Sequence, residues 1–310
     1  MAITAAQVKE LREMTGAGMM DCKKALGATD GDLDKAVEWL RENGLAKAAK
    51  KASRIAAEGM VAVNVSEDGK VASIVEVNSE TDFVAKNEKF QTFVAEVAAQ
   101  AQATNAANIE EFMAEKWNAD DAGSVEEKLK AMIAVIGENM NIRRFEKIET
   151  EGVIVSYIHA GGKIGVLVIA DTDNATDGVK EALKNVAMQV AALNPKYVST
   201  DDVDADYKAH ELEILKAQAM NDPKNANKPE NIIEKMVSGR LNKELKEVCL
   251  LEQEYVKAEN KETVGKYLEA VAKAEGVSLK VTSFVRFETG EGIEKKEEDF
   301  AAEVAAQMGQ

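Results

Sequence analysis

Two stretches of this chain carry the same pattern of strand, turn, strand and helix at a constant offset of 93 residues. Gly59 opens an alternating run, Val61, Val63 and Val65. Asp68-Gly69-Lys70 turns it, and Val71, Ile74, Val75 and Val77 run back. Phe90, Phe93, Val94 and Val97 then follow a helical period. Gly152 opens the same series. Val153 and Val155 lie in a strand, Gly161-Gly162-Lys163 turns, Ile164 to Ile169 pairs back, and Leu183, Val186, Ala187 and Val190 line a helix. Gly59 thus answers to Gly152, Lys70 to Lys163 and Val97 to Val190. A period of two marks a sheet face and a period near 3.6 marks the helix that covers it. The chain is therefore expected to be α+β, with a duplicated β-hairpin-plus-helix core.

Helical modules flank and interrupt this core. Thr4 and Gln7 form a capping box, with Ile3 and Val8 as a hydrophobic staple. That helix carries Val8, Leu11 and Met14 and stops at Thr15-Gly16-Ala17-Gly18. A second helix spans 19–26. A third is capped by Asp30 or Asp32, carries Leu33, Ala36, Val37 and Leu40, and is expected to end at Gly44. A basic linker helix with Lys47, Lys50, Lys51 and Arg54 follows. A helical insert is expected over 109–141. Later, Tyr207, Glu211, Ile214 and Gln218 mark one helix, Asn221-Asp222-Pro223 breaks it, and Ile232, Ile233, Met236 and Val237 mark its return. This is an antiparallel helical hairpin, a candidate for self-association, although Glu211 and Gln218 interrupt its apolar stripe. A helix over 264–273, a strand over 279–287 that joins the second subdomain, and a last helix with Phe300, Val304 and Ala305 complete the chain. The expected divisions are a three-helix bundle and linker (1–54), a first core subdomain (55–145), a second (146–197 with 246–288), the inserted hairpin (198–245) and a C-terminal module (289–310).

Composition excludes several functions. The formal net charge of −16 over 310 residues repels phosphate backbones and argues against direct binding of nucleic acid. Cys22 and Cys249 stand far apart with no CxxC spacing, which suits a reducing compartment. The start lacks a basic head and an apolar run, and no stretch reaches membrane-spanning length, so a cytoplasmic protein with no membrane partner is expected. Neither GxxxxGK[ST] nor GxGxxG occurs. His159 and His210 have no partner at ligand spacing, so no catalytic residue, metal or cofactor is expected.

The segment Glu76 to Phe90, EVNSETDFVAKNEKF, joins the second strand of repeat one to its helix. Phe83 and Val84 stand where repeat two has Thr176 and Asp177. Phe83 is then either a plug for its own subdomain or an apolar knob on a loop between rigid elements, where contact residues concentrate.

At these residues the sequence resembles the elongation factor Ts family. LREMTGAGMMDCKKAL (11–26) and the EVNSETDFVAKNEKF segment carry the match, supported by IGENMNIRR (136–144), MVSGRLNKELKEVCLLEQ (236–253) and RFETGEGIEKKEEDFAAEVAAQ (286–307). The resemblance spans essentially the whole chain. It implies a guanine-nucleotide exchange factor, not an enzyme of covalent chemistry, whose partner in translation elongation is elongation factor Tu in its GDP-bound and nucleotide-free forms. It further implies that Met19, Met20 and Lys23 of the bundle pack on the GTPase domain. In the segment 81–87, Phe83 would wedge between partner helices and Asp82 would disturb the magnesium site, flanked by Thr81 and Val84. His159, Gly161 and Gly162 would meet another partner domain, and Tyr255 and Val256, or the C-terminal helix, would reach the GTPase domain again. This chain has Glu254-Tyr255 where the family often has Pro-Phe, and Thr289 where it often has Val. Two other readings compete. The bundle resembles ubiquitin-associated domains, which would make the chain a protein-binding adaptor or scaffold, and scattered carboxylates leave a hydrolase open without a motif behind it.

Overall fold

The computed structural model describes residues 3–121, 123–225 and 228–294. Its first helices are α1 (Ala5–Thr15), α2 (Met19–Ala28) and α3 (Leu33–Lys51). The Thr4 hydroxyl accepts from the Gln7 N–H and the Gln7 side chain accepts from the Thr4 N–H, which completes the capping box. Gly16, at φ +67°, ends α1, and Asp32 caps α3. Val8, Leu11, Cys22, Ala25, Leu26 and Ala36 form the bundle core, whereas Met14 is 58% exposed. Gly44 does not end α3. The helix runs on to Lys51 as one rod, so no separate linker helix exists.

Repeat one contains β1 (Glu58–Val65), β2 (Val71–Ser79), the single turn α4 (Asp82–Ala85), α5 (Glu88–Ala103), α6 (Ile109–Ala114), α7 (Val125–Ile136) and β3 (Met140–Glu149). The expected insert thus ends sooner, and Met140–Glu149 is a strand that returns to pair with β2. Gly44 lies where α3 crosses α7: a Cβ there would sit 3.2 Å from that of Ala134. The small residue serves close helix approach, and Arg41 pairs with Glu127 at 2.7 Å beside the crossing.

Repeat two contains β4 (Val153–His159), β5 (Ile164–Thr172), α8 (Asp177–Leu193), α9 (Ala205–Asn221), α10 (Glu230–Val248), α11 (Val264–Glu275) and β6 (Leu279–Glu288). The sheets have orders β1-β2-β3 and β4-β5-β6, all antiparallel. Each repeat therefore builds a hairpin, a covering helix, a helical excursion and a third strand. In α9 and α10 the seam is Leu215, Ala219, Ile233, Val237 and Leu241. In α9 the buried face lies one residue over from the expected stripe, and Ile214 is 37% exposed, whereas Ile233 and Val237 of α10 lie on the seam as expected. The expected helix with Phe300, Val304 and Ala305, and most of the 289–310 module, lie outside the described residues.

The two sheets stack face to face. Val75 and Val77 of β2 face α5, while Ala72 and Ile74 of the same strand meet Ile154, Leu167, Ile169 and Phe287 of the other sheet. On the far side, Val166, Val168 and Ala170 meet α8. The order of layers is helix, sheet, sheet, helix, so β2 and β5 are buried on both faces and read as apolar runs.

Candidate functional site

The turn α4 follows directly from β2 and is clamped at almost every residue. Glu138 accepts from the Thr81 N–H at 3.0 Å and from the Thr81 hydroxyl at 2.7 Å. The Ser79 hydroxyl donates to the Thr81 carbonyl at 3.0 Å. Val84 packs into the core beside α5, and Gln91 donates to the Ala85 carbonyl at 3.1 Å. Asn87 caps α5 through the N–H groups of Lys89 and Phe90. Phe83 alone is turned out, 78% exposed, the most exposed large apolar side chain among the described residues. A rigid base with an exposed aromatic is the arrangement of a contact residue, not of a plug.

The repeats explain the turn. α8 begins at Asp177, the register equivalent of Val84, and is capped by Thr176. α5 begins four residues later in register, at Glu88, and the freed residues form α4. Repeat two thus uses for helix capping the position from which repeat one projects Phe83.

Asp82 pairs with Lys86 at 2.7 Å, and the Lys86 ammonium lies 5.8 Å from the Phe83 ring centroid. The hydrogen bond from Lys86, helped by the charge of Lys163, holds the Asp82 carboxyl below the usual range. Lys163 belongs to the turn between β4 and β5 and pairs with Glu58 of β1, the strand that α4 also packs against, so the 81–84 and 161–163 segments both lie on β1. Gly162 is buried against β1: its carbonyl accepts from the Val61 N–H at 2.7 Å, and a Cβ there would lie 2.8 Å from that of Met60. Gly161 and His159 are exposed, and the Tyr157 hydroxyl lies 3.0 Å from His159 Nδ1.

In the bundle, Met19 and Met20 are 59% and 64% exposed at the start of α2, and Lys23 is exposed one turn on. The turn that leads into them lies near α5, since a Cβ on Gly16 would sit 3.2 Å from the Lys89 ammonium. Three expected contact residues are placed otherwise, the buried Gly162 being the first. Val84 is 8% exposed and anchors its turn, because the side chain after Phe83 falls on the inner face of α4. Tyr255 is 6% exposed, with its ring stacked on Tyr267 at 4.3 Å and its hydroxyl pushed up by burial. Its neighbour Val256 is 53% exposed and is set by a bond from its N–H to Gln189. Sequence reasoning missed Glu138 and Lys163 as supports of the site; no periodic signal links either to residue 82.

A family model described as Elongation factor TS matches residues 80–291, a span that begins at the clamped turn and ends beyond β6. The chain belongs to the elongation factor Ts family. It is 57% identical over 307 residues to Elongation factor Ts of Clostridioides difficile (strain 630), covering 99% of both chains. It is 54% identical over 314 residues to Elongation factor Ts of Trichlorobacter lovleyi, covering 100% of this chain and 99% of the relative. Among the described residues no helix is long and apolar enough to cross a membrane, and no cluster of three or more His, Cys, Asp or Glu suits a metal ion.

Proposed function

We propose that the chain promotes release of GDP from elongation factor Tu during translation elongation, with Phe83 as a wedge and Asp82 as the charge that disturbs the magnesium and phosphate site. The observation that carries this reading is Phe83 held 78% exposed on a turn whose neighbours are clamped. Burying such a ring in a partner is favourable by about 1.5–3 kcal/mol, energy available for deforming the nucleotide site. A factor that binds the nucleotide-free partner more tightly must weaken nucleotide binding by the same ratio. Magnesium bridges phosphates to protein, so loosening its surroundings weakens the strongest clamp on GDP. No nucleophile or proton transfer is needed.

The remaining contacts supply affinity. Met19, Met20 and Lys23 would meet the GTPase domain, His159 and Gly161 a second partner domain, and Val256 a further point. Thr81, Val84, Gly162 and Tyr255 would support these contacts from beneath. The adaptor reading drew on the bundle alone, whereas the relatives match the whole chain. The test is release of a fluorescent GDP analogue from elongation factor Tu. Acceleration that depends on Phe83 supports the proposal, and acceleration that is untouched by Phe83→Ala refutes the wedge.

A further inference from the structure

Glu76 lies on β2, six residues before Asp82, with its carboxylate completely buried. Four donors from three segments converge on it. Asn78 Nδ2 donates at 3.0 Å, the Gly290 N–H at 2.8 Å, Arg143 at 3.1 Å and Arg144 Nε at 2.6 Å. Consecutive strand residues ordinarily point to opposite faces. Here the pairing of β2 with β3 shifts between Glu76 and Val77, with Glu76 opposite Arg144 and Val77 opposite Ile142, so Arg143 is an extra residue. A bulge re-aims side chains, and this one lets both arginines reach one carboxylate.

The repeat supplies a control. The register equivalent of Glu76 is Ile169, and the pairing of β5 with β6 shifts at the same place, between Ile169 and Ala170. Ile169 is simply packed in the core between the sheets. The scaffold therefore keeps its bulge without a charge there. A buried ion pair adds little to stability over apolar packing, so its use lies in fixing an arrangement.

What Glu76 arranges can be traced bond by bond. Beyond the sheet it holds Gly290. The neighbouring Thr289 donates its N–H to the Lys163 carbonyl at 2.9 Å and its hydroxyl to the Gly162 carbonyl at 3.0 Å. Gly290 has no slack, since a Cβ there would lie 2.1 Å from the Ala57 carbonyl. Lys163 pairs with Glu58 at 2.5 Å, and its charge acts on Asp82. One buried carboxylate thus joins the strand that ends in the Phe83 turn to the strand that ends against the 161–163 turn.

We infer that Glu76 is a positioning residue that fixes the Asp82–Phe83 turn relative to the Gly161–Lys163 turn, so that both engage one partner in a single docking geometry. The inference rests on the wedge reading for its functional half, and two measurements separate them. The first uses full-length protein with spin labels at Glu88→Cys and Ala160→Cys, both exposed, while the native Cys22 and Cys249 are buried. The distance distribution should be narrow, and Glu76→Gln should broaden it. The second is the maximal rate of GDP release at saturating folded protein, which a merely structural loss of stability would not change. Glu76→Gln should lower it about tenfold, and in a Phe83→Ala background it should add little, because coupled residues are not additive. An unchanged distance distribution overturns the inference. So does an unchanged maximal rate where Phe83→Ala alone slows release. If Phe83→Ala itself has no effect, the wedge reading fails, and the distances alone decide for or against Glu76. Should Glu76→Gln unfold at the assay temperature, Arg143→Gln carries both measurements, since it removes one donor to the Glu76 carboxylate at the bulge and leaves those from Arg144, Asn78 and Gly290 in place.

Discussion

Phe83 is an apolar side chain that water surrounds and that nothing in its own subdomain requires. If it were core, Phe83→Ala would cost about 3–5 kcal/mol. At 78% exposure the expected cost is under about 1 kcal/mol, while GDP release from the partner slows markedly. Thermal unfolding measured beside the exchange rate checks both halves, and a large fall in Tm with unchanged exchange per folded molecule would make Phe83 an ordinary core residue. Asp82→Ala should act in the same direction but more mildly, because an exposed carboxylate acts through local, screened electrostatics. Glu76 carries a pH dependence set by the bonds to its buried carboxylate. Burial pushes its carboxyl up, but the bonds from Asn78 and Gly290 and the Arg144 charge outweigh this and hold it below its ordinary value. A carboxyl lowered on folding stabilises fully above its unfolded value of about 4.3, and that stability is lost as pH falls through the folded value. The Tm gap between the parent and Glu76→Gln should therefore be constant near neutrality and close progressively below about pH 4.3. A gap unchanged down to acid unfolding would contradict this.

Among the elements, the two hairpins were the most legible part, because strand alternation and the 93-residue offset reinforce each other. Gly59 and Gly152 mark the same structural need. Each opens the first strand of its repeat so close to the next that a Cβ would lie 2.2 Å from the Val77 carbonyl or 2.1 Å from that of Ala170. Gly59 also has φ +119°, so Gly59→Ala should destabilise the protein by several kcal/mol, about the scale of a core truncation. Denaturant unfolding checks this, and a loss below about 1 kcal/mol would mean that the strand edge gives way. What escaped the sequence shares one cause: its meaning lies in a partner element. Gly44 resembles a helix stop and is a crossing point against Ala134. β3 carries Asn141, Arg143 and Arg144 among its apolar residues, which hides the alternation that pairing with β2 and the bulge make sensible. The exposure of Phe83 was legible by comparing repeats, but the inward turn of Val84 and the burial of Tyr255 depend on helix phase and on Tyr267, which no local pattern reveals.

For the whole molecule, the stacked sheets share one buried core between them, and the bundle joins it through α3 on α7. That junction decides how the contribution of the bundle is to be tested. Cutting the chain near residue 50 would strip α7 of the helix it packs against and expose Gly44's crossing site, so loss of binding would be confounded with damage to the core. Substituting Met19→Ser, Met20→Ser and Lys23→Ser together leaves the bundle core of Leu11, Cys22, Leu26 and Ala36 intact, since all three side chains point outward. If the bundle supplies affinity and the 82–83 turn supplies displacement, the two roles separate kinetically. The concentration for half-maximal GDP release should rise about tenfold, the equivalent of about 1.4 kcal/mol of lost contact. The maximal rate should stay within about twofold, because contacts equally strong before and after displacement alter binding but not the barrier. Phe83→Ala should give the converse, a lower maximal rate with a smaller change in half-saturation. If the triple substitution lowered the maximal rate and left half-saturation alone, the bundle would take part in displacement itself, and the division of labour between bundle and core would be wrong.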